Sequence, residues 1–463
     1  MTQTAALARH HLDRFRDAFG GEVIGPADDG YDDARRVWNA VFDRRPAAIA
    51  RPDSVGSVAS AIRFGRERDL EIAVRGGGHS ASGHSTCDGG LVIDLSAMPG
   101  VTVDPERRSA RANGGALLGE LDIAAQAHGL VCPVGVIGHT GVAGLTLGGG
   151  VGRLQRNFGL TIDSLRAVEL VTADGRTVRA SAIEEPELFW GIRGAGWNFG
   201  LATAFEFGLH EFGPLLHRSA RIYPASQAHD VWATFRDFAD SAPDAVSMIY
   251  TIGRAVPEGD YPDSVAGQPI VIVSYNHSGR AEDVDRDVAP LTAGPAPVSV
   301  TSGSAKYLEV QTSNDLAMAW GGRSFILSGY ANDLSAAVLD ALIEHVRGGP
   351  DEGSVSVTAQ GGAIRRVPAE STAFVGRQAR FDVSADVGWP DATGDEAGPA
   401  WVRRAMAIVS PDALPGGYSN GNSDAGPAQT RALYGDETVG RLAALKRVWD
   451  PDNVFHLNHN VAP

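Results

Sequence analysis

The chain has 463 residues, with 56 Asp plus Glu against 40 Lys plus Arg, a formal charge of -16 and a pI near 5.2. That balance disfavours any partner held by phosphate neutralisation, so neither nucleic acid nor an anionic membrane surface is expected. Hydrophobic residues at 43% and charged residues at 21% describe a soluble globular chain, and the length calls for two or three domain-sized units. Glycine is the outlier: its 57 residues are about 12% of the chain against a usual ~7%.

The first 22 residues place Leu7, Leu12, Phe15 and Phe19 at helical spacing among charges, which predicts a packed surface helix and no signal peptide. Ser54 caps a helix through Val55, Val58 and Ile62 that ends near Asp69, followed by a short buried strand at Ile72-Ala73-Val74. Leu91–Leu95 reads as a second strand. The run from Gly129 to Gly152 has no Asp, Glu, Lys or Arg but contains nine glycines, so it is expected to be a loop system and not a membrane span. Val168–Thr172 and Arg176–Ala180 flank Asp174-Gly175, a hairpin signal.

From about residue 216 glycine clusters thin out, and Val246–Ile252, Ile270–Tyr275 and Ser354–Thr358 are β-rich. Ser335 opens an amphipathic helix through Val338, Leu339, Leu342, Ile343 and Val346. A further helix is expected around Arg441–Val448. The fold class is therefore α+β: a first domain over residues 1–215 with its core at about 45–215, a second over 216–424 built as a sheet backed by helices, and a return of residues 425–463 to the first.

No GxxxxGK[ST] is present and no GxGxxG lies between a strand and a helix. Three glycine-rich segments stand in their place: Arg75–His79, Gly141–Gly152 and Gly191–Gly200. Loops of this kind turn backbone N–H groups toward an anion, and together they could wrap a pyrophosphate. His79 follows three glycines at a strand end, where its ring would project beside the ligand. Two cysteines, Cys87 and Cys132, cannot scaffold a chain of this length, which suits a reducing cytoplasm. No CxxC or HExxH spacing supports a metal. Gly417-Tyr418-Ser419-Asn420-Gly421 fits the nucleophile-elbow pattern of hydrolases but lacks its strand-to-helix context.

Several stretches together resemble a known family: Arg75-Gly76-Gly77-Gly78-His79-Ser80, Gly90–Ser96, Gly138-His139-Thr140-Gly141 through Gly144 to Gly148-Gly149-Gly150, Phe189–Gly196, Tyr418-x-Asn420 and Trp449–Asn460. They resemble the berberine bridge enzyme-like FAD-linked oxidases, bacterial type, whose flavin domain is of the vanillyl-alcohol oxidase (PCMH) kind. The resemblance implies FAD bound by these loops, with Gly194, Gly196, Asn198, Gly200, Asn458 and Asn460 contributing. It implies a covalent bond from His79 to the 8α-methyl of FAD. Cys132 sits where some members add a second bond, but it lies seven residues before His139 where doubly linked members have eight, so a single link is expected.

The family chemistry implied is hydride transfer from a small-molecule substrate to flavin, a side-chain base on the adjacent oxygen or nitrogen, and reoxidation by O2 to hydrogen peroxide. Tyr418 matches the flavin-facing tyrosine, with Asn420 beside it. Without a cationic neighbour its phenol, near pKa ~10, would serve as a hydrogen-bond donor. Tyr250, Tyr275 and Gln360 are the fallback candidates on middle-domain strands. Gln360 stands where a carboxylate base would be looked for, and that carboxylate is absent. A dehydrogenase with another acceptor and a redox-silent flavin-scaffolded cyclase stay as alternatives. Substrate and oligomeric state are not read from the sequence.

Overall fold

The structure is a computed structural model that describes residues 7, 9–256, 259 and 261–463. The N-terminal helix spans Arg9–Ala18 and buries Leu12 and Phe15; the rest of that expectation, in residues 1–6 and 8, lies outside the described residues. The Ser54 hydroxyl accepts from Ser57 N–H at 3.3 Å and starts the Val55–Glu67 helix, whose Val58, Ala61 and Ile62 are fully buried. That face packs on a four-stranded sheet in the order Gly21–Ile24, Ala48–Pro52, Leu91–Asp94, Ile72–Arg75, where the last three strands run parallel. A second, antiparallel sheet has five strands in the order Val101–Asp104, Ser109–Asn113, Leu201–Gly208, Leu165–Val171, Thr177–Ser181. Its last pair is the hairpin expected at Asp174-Gly175.

The stretch 129–152 is more ordered than its composition suggests. It carries a two-residue strand, Leu130–Val131, and a six-residue helix, Val142–Leu147. Tertiary packing overrides weak local propensity there, since Val142, Thr146 and Leu147 are all buried.

The largest sheet has eight antiparallel strands: Ser299–Lys306, Leu215–Pro224, Pro269–His277, Val246–Arg254, Ser354–Ala359, Phe381–Trp389, Arg323–Ala331 and Ala413–Leu414. Side chains alternate along each strand. Val355, Val357, Val383, Ala385, Met248 and Tyr250 join one buried cluster with the helices Ala228–Ser241, Ala336–Arg347 and Ala397–Val409. Burial of such side chains, roughly 1.5–3 kcal/mol each, holds the helices on that face. The register aligns Ile249, Thr358, Asp382 and Tyr330 across four neighbouring strands on the opposite face. That face forms the floor of a cleft.

Among the contacts that join the large sheet to the glycine loops, two lie in the segment before the Phe381–Trp389 strand. Arg377, fully buried, makes a two-pronged ion pair with Asp163 at 2.7 and 3.0 Å. Ala373 and Phe374 donate their backbone N–H groups to Trp190 and Arg193 carbonyls, both at 3.1 Å. The helix Pro427–Trp449 returns to the first part of the chain and buries Leu433, Tyr434 and Leu442 in its core.

Candidate active site

The short helix Val142–Leu147 is the axis of the site. At its start Gly141 lies against Gly77, so closely that a β-carbon on either would collide with the other's backbone nitrogen. At its end a β-carbon on Gly148 would strike Asn420 and Trp197. Gly144, in the middle, has nothing within 4 Å of its missing side chain and is exposed. Six residues rising ~1.5 Å each separate the two ends, about the length of a fused tricyclic ring. The loops thus frame a flat, open strip with one histidine cluster and one tyrosine cluster at its ends.

At the first end, the Ile72–Arg75 strand delivers the glycine loop, and Gly78 takes φ 71° because only glycine enters that region freely. The His79 ring stacks on Trp38 at 5.0 Å and meets the edge of Trp320 at 6.1 Å. Its Nε2 lies 2.7 Å from His139 Nδ1, and His139 Nε2 lies 3.3 Å from the Asp315 carbonyl. The Asp315 carboxylate accepts from Gly138 N–H at 2.7 Å and pins the Asp315 turn to this loop. Burial, with His139 adding to it, pushes His79 down to about 3, so its ring is neutral.

At the other end, Ser328 receives Tyr418 N–H at 2.9 Å and fixes the Tyr418 backbone to the large sheet. The Tyr418 oxygen accepts from Asn420 Nδ2 at 2.9 Å and from Val151 N–H at 3.3 Å. With both lone pairs engaged, the phenolic hydrogen is free to point into the cleft. Burial raises the phenol's pKa above the ordinary 10, while Asn420, Val151 and Gly150 oppose that rise.

Asp382 is the residue that sequence reasoning missed. It projects from the Phe381–Trp389 strand on the cleft face, one strand from Ser328, and its charge acts on both Tyr418 and Tyr330. It makes no hydrogen bond among the described residues, and burial pushes it up to about 7. Asp386, four residues on and on the same face, accepts from Ser354 at 3.1 Å and is pushed up to about 6 by burial. The alternation in Phe-Asp-Val-Ser-Ala-Asp-Val was the available signal.

Two of the three fallback candidates separate from this cluster. Tyr250 points to the helix side of its strand, fully buried, and donates to the Ala228 carbonyl at 3.1 Å. Tyr275 is buried in the same helix-side core. Both are removed from the cleft by the two-residue period of their strands. Gln360 ends its strand with its carbonyl bound by Arg156.

Several residues named for the cofactor also hold the scaffold. Arg75 is buried, donating to the carbonyls of Ala34 and Ser85 and facing Asp94 at 3.7 Å. Ser80 accepts the His84 N–H. Asn198 is spent on the Ala195 and His459 carbonyls and on Val461 N–H. Glycine at 196 makes room for Leu147, and at 200 for Leu170. Cys132 is fully buried, its thiol pushed well up by burial and by Asp122, so it is not poised as a thiolate. Ser419 is buried in a short turn with its hydroxyl toward the Gly148 carbonyl, which leaves no hydrolase nucleophile.

Around Trp197, His459 and Asn458 the protein leaves polar atoms unmet: Trp197 Nε1, Asn458 Oδ1, His459 Nδ1 and Asn460 Oδ1 are buried without partners. One donor and three acceptors beside a glycine-lined strip suit a polar heterocycle, and with the neutral His79 at the other end the residues fit FAD. Among the described residues no group of three His, Cys, Asp or Glu is placed to hold a metal, and no helix is long and apolar enough to cross a membrane.

Comparison with known proteins bears on the same region. Residues 46–181 match the FAD binding domain family, and residues 417–462 match the berberine and berberine-like family. The architecture is the PCMH-type flavin fold: 6-hydroxy-D-nicotine oxidase of Arthrobacter nicotinovorans superposes with a TM-score of 0.85 at 30% identity, covering 96% of this chain and 98% of that one. The moss Physcomitrella patens BBE-like 1 gives 0.87 at 25%, covering 98% and 99%. In sequence, the (R)-6-hydroxynicotine oxidase of Paenarthrobacter nicotinovorans is 32% identical over 460 residues, 96% of this chain and 97% of that protein. The chain belongs to the berberine bridge enzyme-like FAD-linked oxidoreductases.

Proposed function

We propose that this protein is an oxidase that carries FAD on His79 and oxidises a carbon bearing an O–H or N–H in a small organic metabolite, of the kind made in secondary metabolism. FAD, when bound, supplies the hydride acceptor and returns to its oxidised form with O2, releasing hydrogen peroxide. Residues 1–215 and 425–463 hold the cofactor in this reading, and residues 216–424 present the substrate.

The observation that carries it is that Asp382 lies on the cleft face of the large sheet, one strand from the Ser328 that holds Tyr418, and that its charge acts on Tyr418. Tyr418, its oxygen held by Asn420 and Val151, donates its hydroxyl hydrogen to the substrate's oxygen or nitrogen, and the Asp382 carboxylate on the cleft face receives the substrate's proton. No cation is needed, because Tyr418 stays protonated and acts as a donor. On the two strands beside Tyr418 the cleft-facing positions Ser354, Ser356, Thr358, Asp382, Ser384 and Asp386 carry hydroxyls and carboxyls, which favours a hydroxylated or basic substrate at that end, while Arg218 lies on the same face three strands away from Ser354–Ala359. The relative named as a hydroxynicotine oxidase supports a small organic substrate. Cys132, buried and kept as a thiol, adds no second bond.

The test is threefold. Acid-denatured protein should stay yellow and carry the mass of one FAD, anaerobic mixing with hydroxylated and amine metabolites should bleach the flavin, and air should then yield peroxide. Flavin freed by acid would end the covalent reading, and bleaching without peroxide under air would replace the oxidase by a dehydrogenase.

A further inference from the structure

We propose that Arg153 and Arg218 form an anion-binding subsite at the far end of the cleft, so that the substrate carries a carboxylate or phosphate arm beyond the carbon that is oxidised. The inference rests on the oxidase reading above and narrows its substrate class.

The two arginines come from different parts of the chain. Leu154 and Leu216 share one buried cluster with Val131, Tyr307 and Val310, which sets the segment after Gly152 against the Leu215–Pro224 strand. Arg153 adjoins Leu154. Arg218 is two residues past Leu216, so it stands on the same side of that strand, which is the cleft side. The guanidiniums are near enough for Arg218 to act on Arg153, and burial together with that repulsion lowers the Arg153 pKa.

Nothing in the fold compensates this pair of like charges. Nε and Nη2 of Arg153 are buried without a hydrogen-bond partner, and neither guanidinium enters an ion pair among the described residues. Arg377 and Arg75, also buried, are satisfied by Asp163 and by backbone carbonyls. The acids nearest Arg218 lie across the sheet: His217 and His277 pair one position from Arg218 and Asn276, hence on the opposite face, where Asp285 and Asp287 act on them. A carboxylate or phosphate accepting from both guanidiniums would relieve the repulsion and meet the open Nε and Nη2. Asn276, opposite Arg218 on the next strand and on the same face, adds an amide. In a chain of net charge -16 this pair is a local exception that draws an anion to one end of the cleft.

The spacing bounds the substrate. Arg218 lies four strands from Asp382. At ~4.8 Å per strand the backbones are ~19 Å apart, and the reach of the side chains leaves roughly 10–15 Å between the anion and the oxidised carbon. The substrate is thus a hydroxy or amino compound of that length with an acidic end.

The experiment titrates the holoenzyme calorimetrically, at constant ionic strength, with inorganic phosphate and with glutarate. One saturable site per chain is expected, and the tighter of the two anions identifies the arm as phosphate or carboxylate. Arg218→Gln, at an exposed side chain outside the glycine loops, should weaken binding ~10-fold or more, and so should Arg153→Gln in flavin-loaded protein. No binding of either anion, or binding unaltered in Arg218→Gln, would overturn the inference. Flavin lost from Arg218→Gln would overturn it too, by assigning the arginines to the cofactor. Turnover gives a second readout: among compounds that bleach the flavin, those with an acid arm should exceed their methyl esters ~10²-fold in kcat/KM, carried by KM, and Arg218→Gln should shrink that ratio to about threefold. Esters oxidised as well as acids by wild type would sink the proposal and leave the oxidase standing. A flavin that no hydroxy or amino compound bleaches would end the oxidase reading, while the anion titration still decides whether the subsite exists.

Discussion

Burial acts on Asp382 and Tyr418 in the same direction and favours the protonated form of both, so near neutrality only Asp382, at about 7, can serve as an acceptor. In the proposed reaction flavin reduction should therefore rise with pH through about 7 and level off above it. Asp382→Asn should flatten that profile and slow reduction, and a profile unchanged in the variant would remove Asp382 from the chemistry. The same carboxyl has a thermodynamic sign. Its folded pKa is raised above the ordinary 3.8, so ionisation opposes folding as pH climbs from about 4 to about 7, and above that window Asp382→Asn should melt higher than wild type. Tyr418→Phe keeps the ring but loses the hydrogen-bond donor. Reduction should fall ~10²–10⁴-fold with flavin content unchanged, and stopped-flow rates within about twofold of wild type would make Tyr418 a wall of the site.

At the scale of elements, the glycine loops work as surfaces in contact. Gly77→Ala should separate the Gly76–Ser80 loop from the start of the Val142–Leu147 helix, because the added carbon meets backbone and no flexible side chain can give way. The expected outcome is a folded protein with most of its FAD lost, measured as the ratio of flavin to protein absorbance; full loading would show that the two loops part without cost. These loops, His79 and the Tyr418-x-Asn420 pair were legible in the sequence because their residue types and spacing are themselves unusual. Asp382 was not, since one aspartate in an alternating strand says nothing until register sets it opposite Tyr330 on the cleft face. Tyr250 was misread for the reverse reason: its side chain is suited to chemistry, but Met248 and Ile252 share its parity and mark it as core. Trp320 reaches His79, and Asp315 reaches His139, through a long connection that no local pattern announces.

For the whole molecule, the question is what locks the large sheet to the flavin loops. The buried Arg377–Asp163 pair does so with two hydrogen bonds, and Phe374 beside it lies where a side chain on Gly149 or Gly194 would sit. Exposed ion pairs contribute little, but removing one member of a buried pair strands the other charge, a loss of ~3–5 kcal/mol. Arg377→Ala leaves the Asp163 carboxylate without its guanidinium, and Asp163 also receives Leu160 N–H at 2.9 Å, in the segment that follows the Gly149–Gly150 turn. The damage should therefore spread to the loop that holds Tyr418 through Val151. Urea unfolding of the Arg377→Ala holoenzyme, followed by flavin fluorescence and by far-ultraviolet circular dichroism, should show the flavin signal lost at lower urea than the secondary structure. If the two signals shift together by less than about 1 kcal/mol, the pair is not what couples the sheet to the loops.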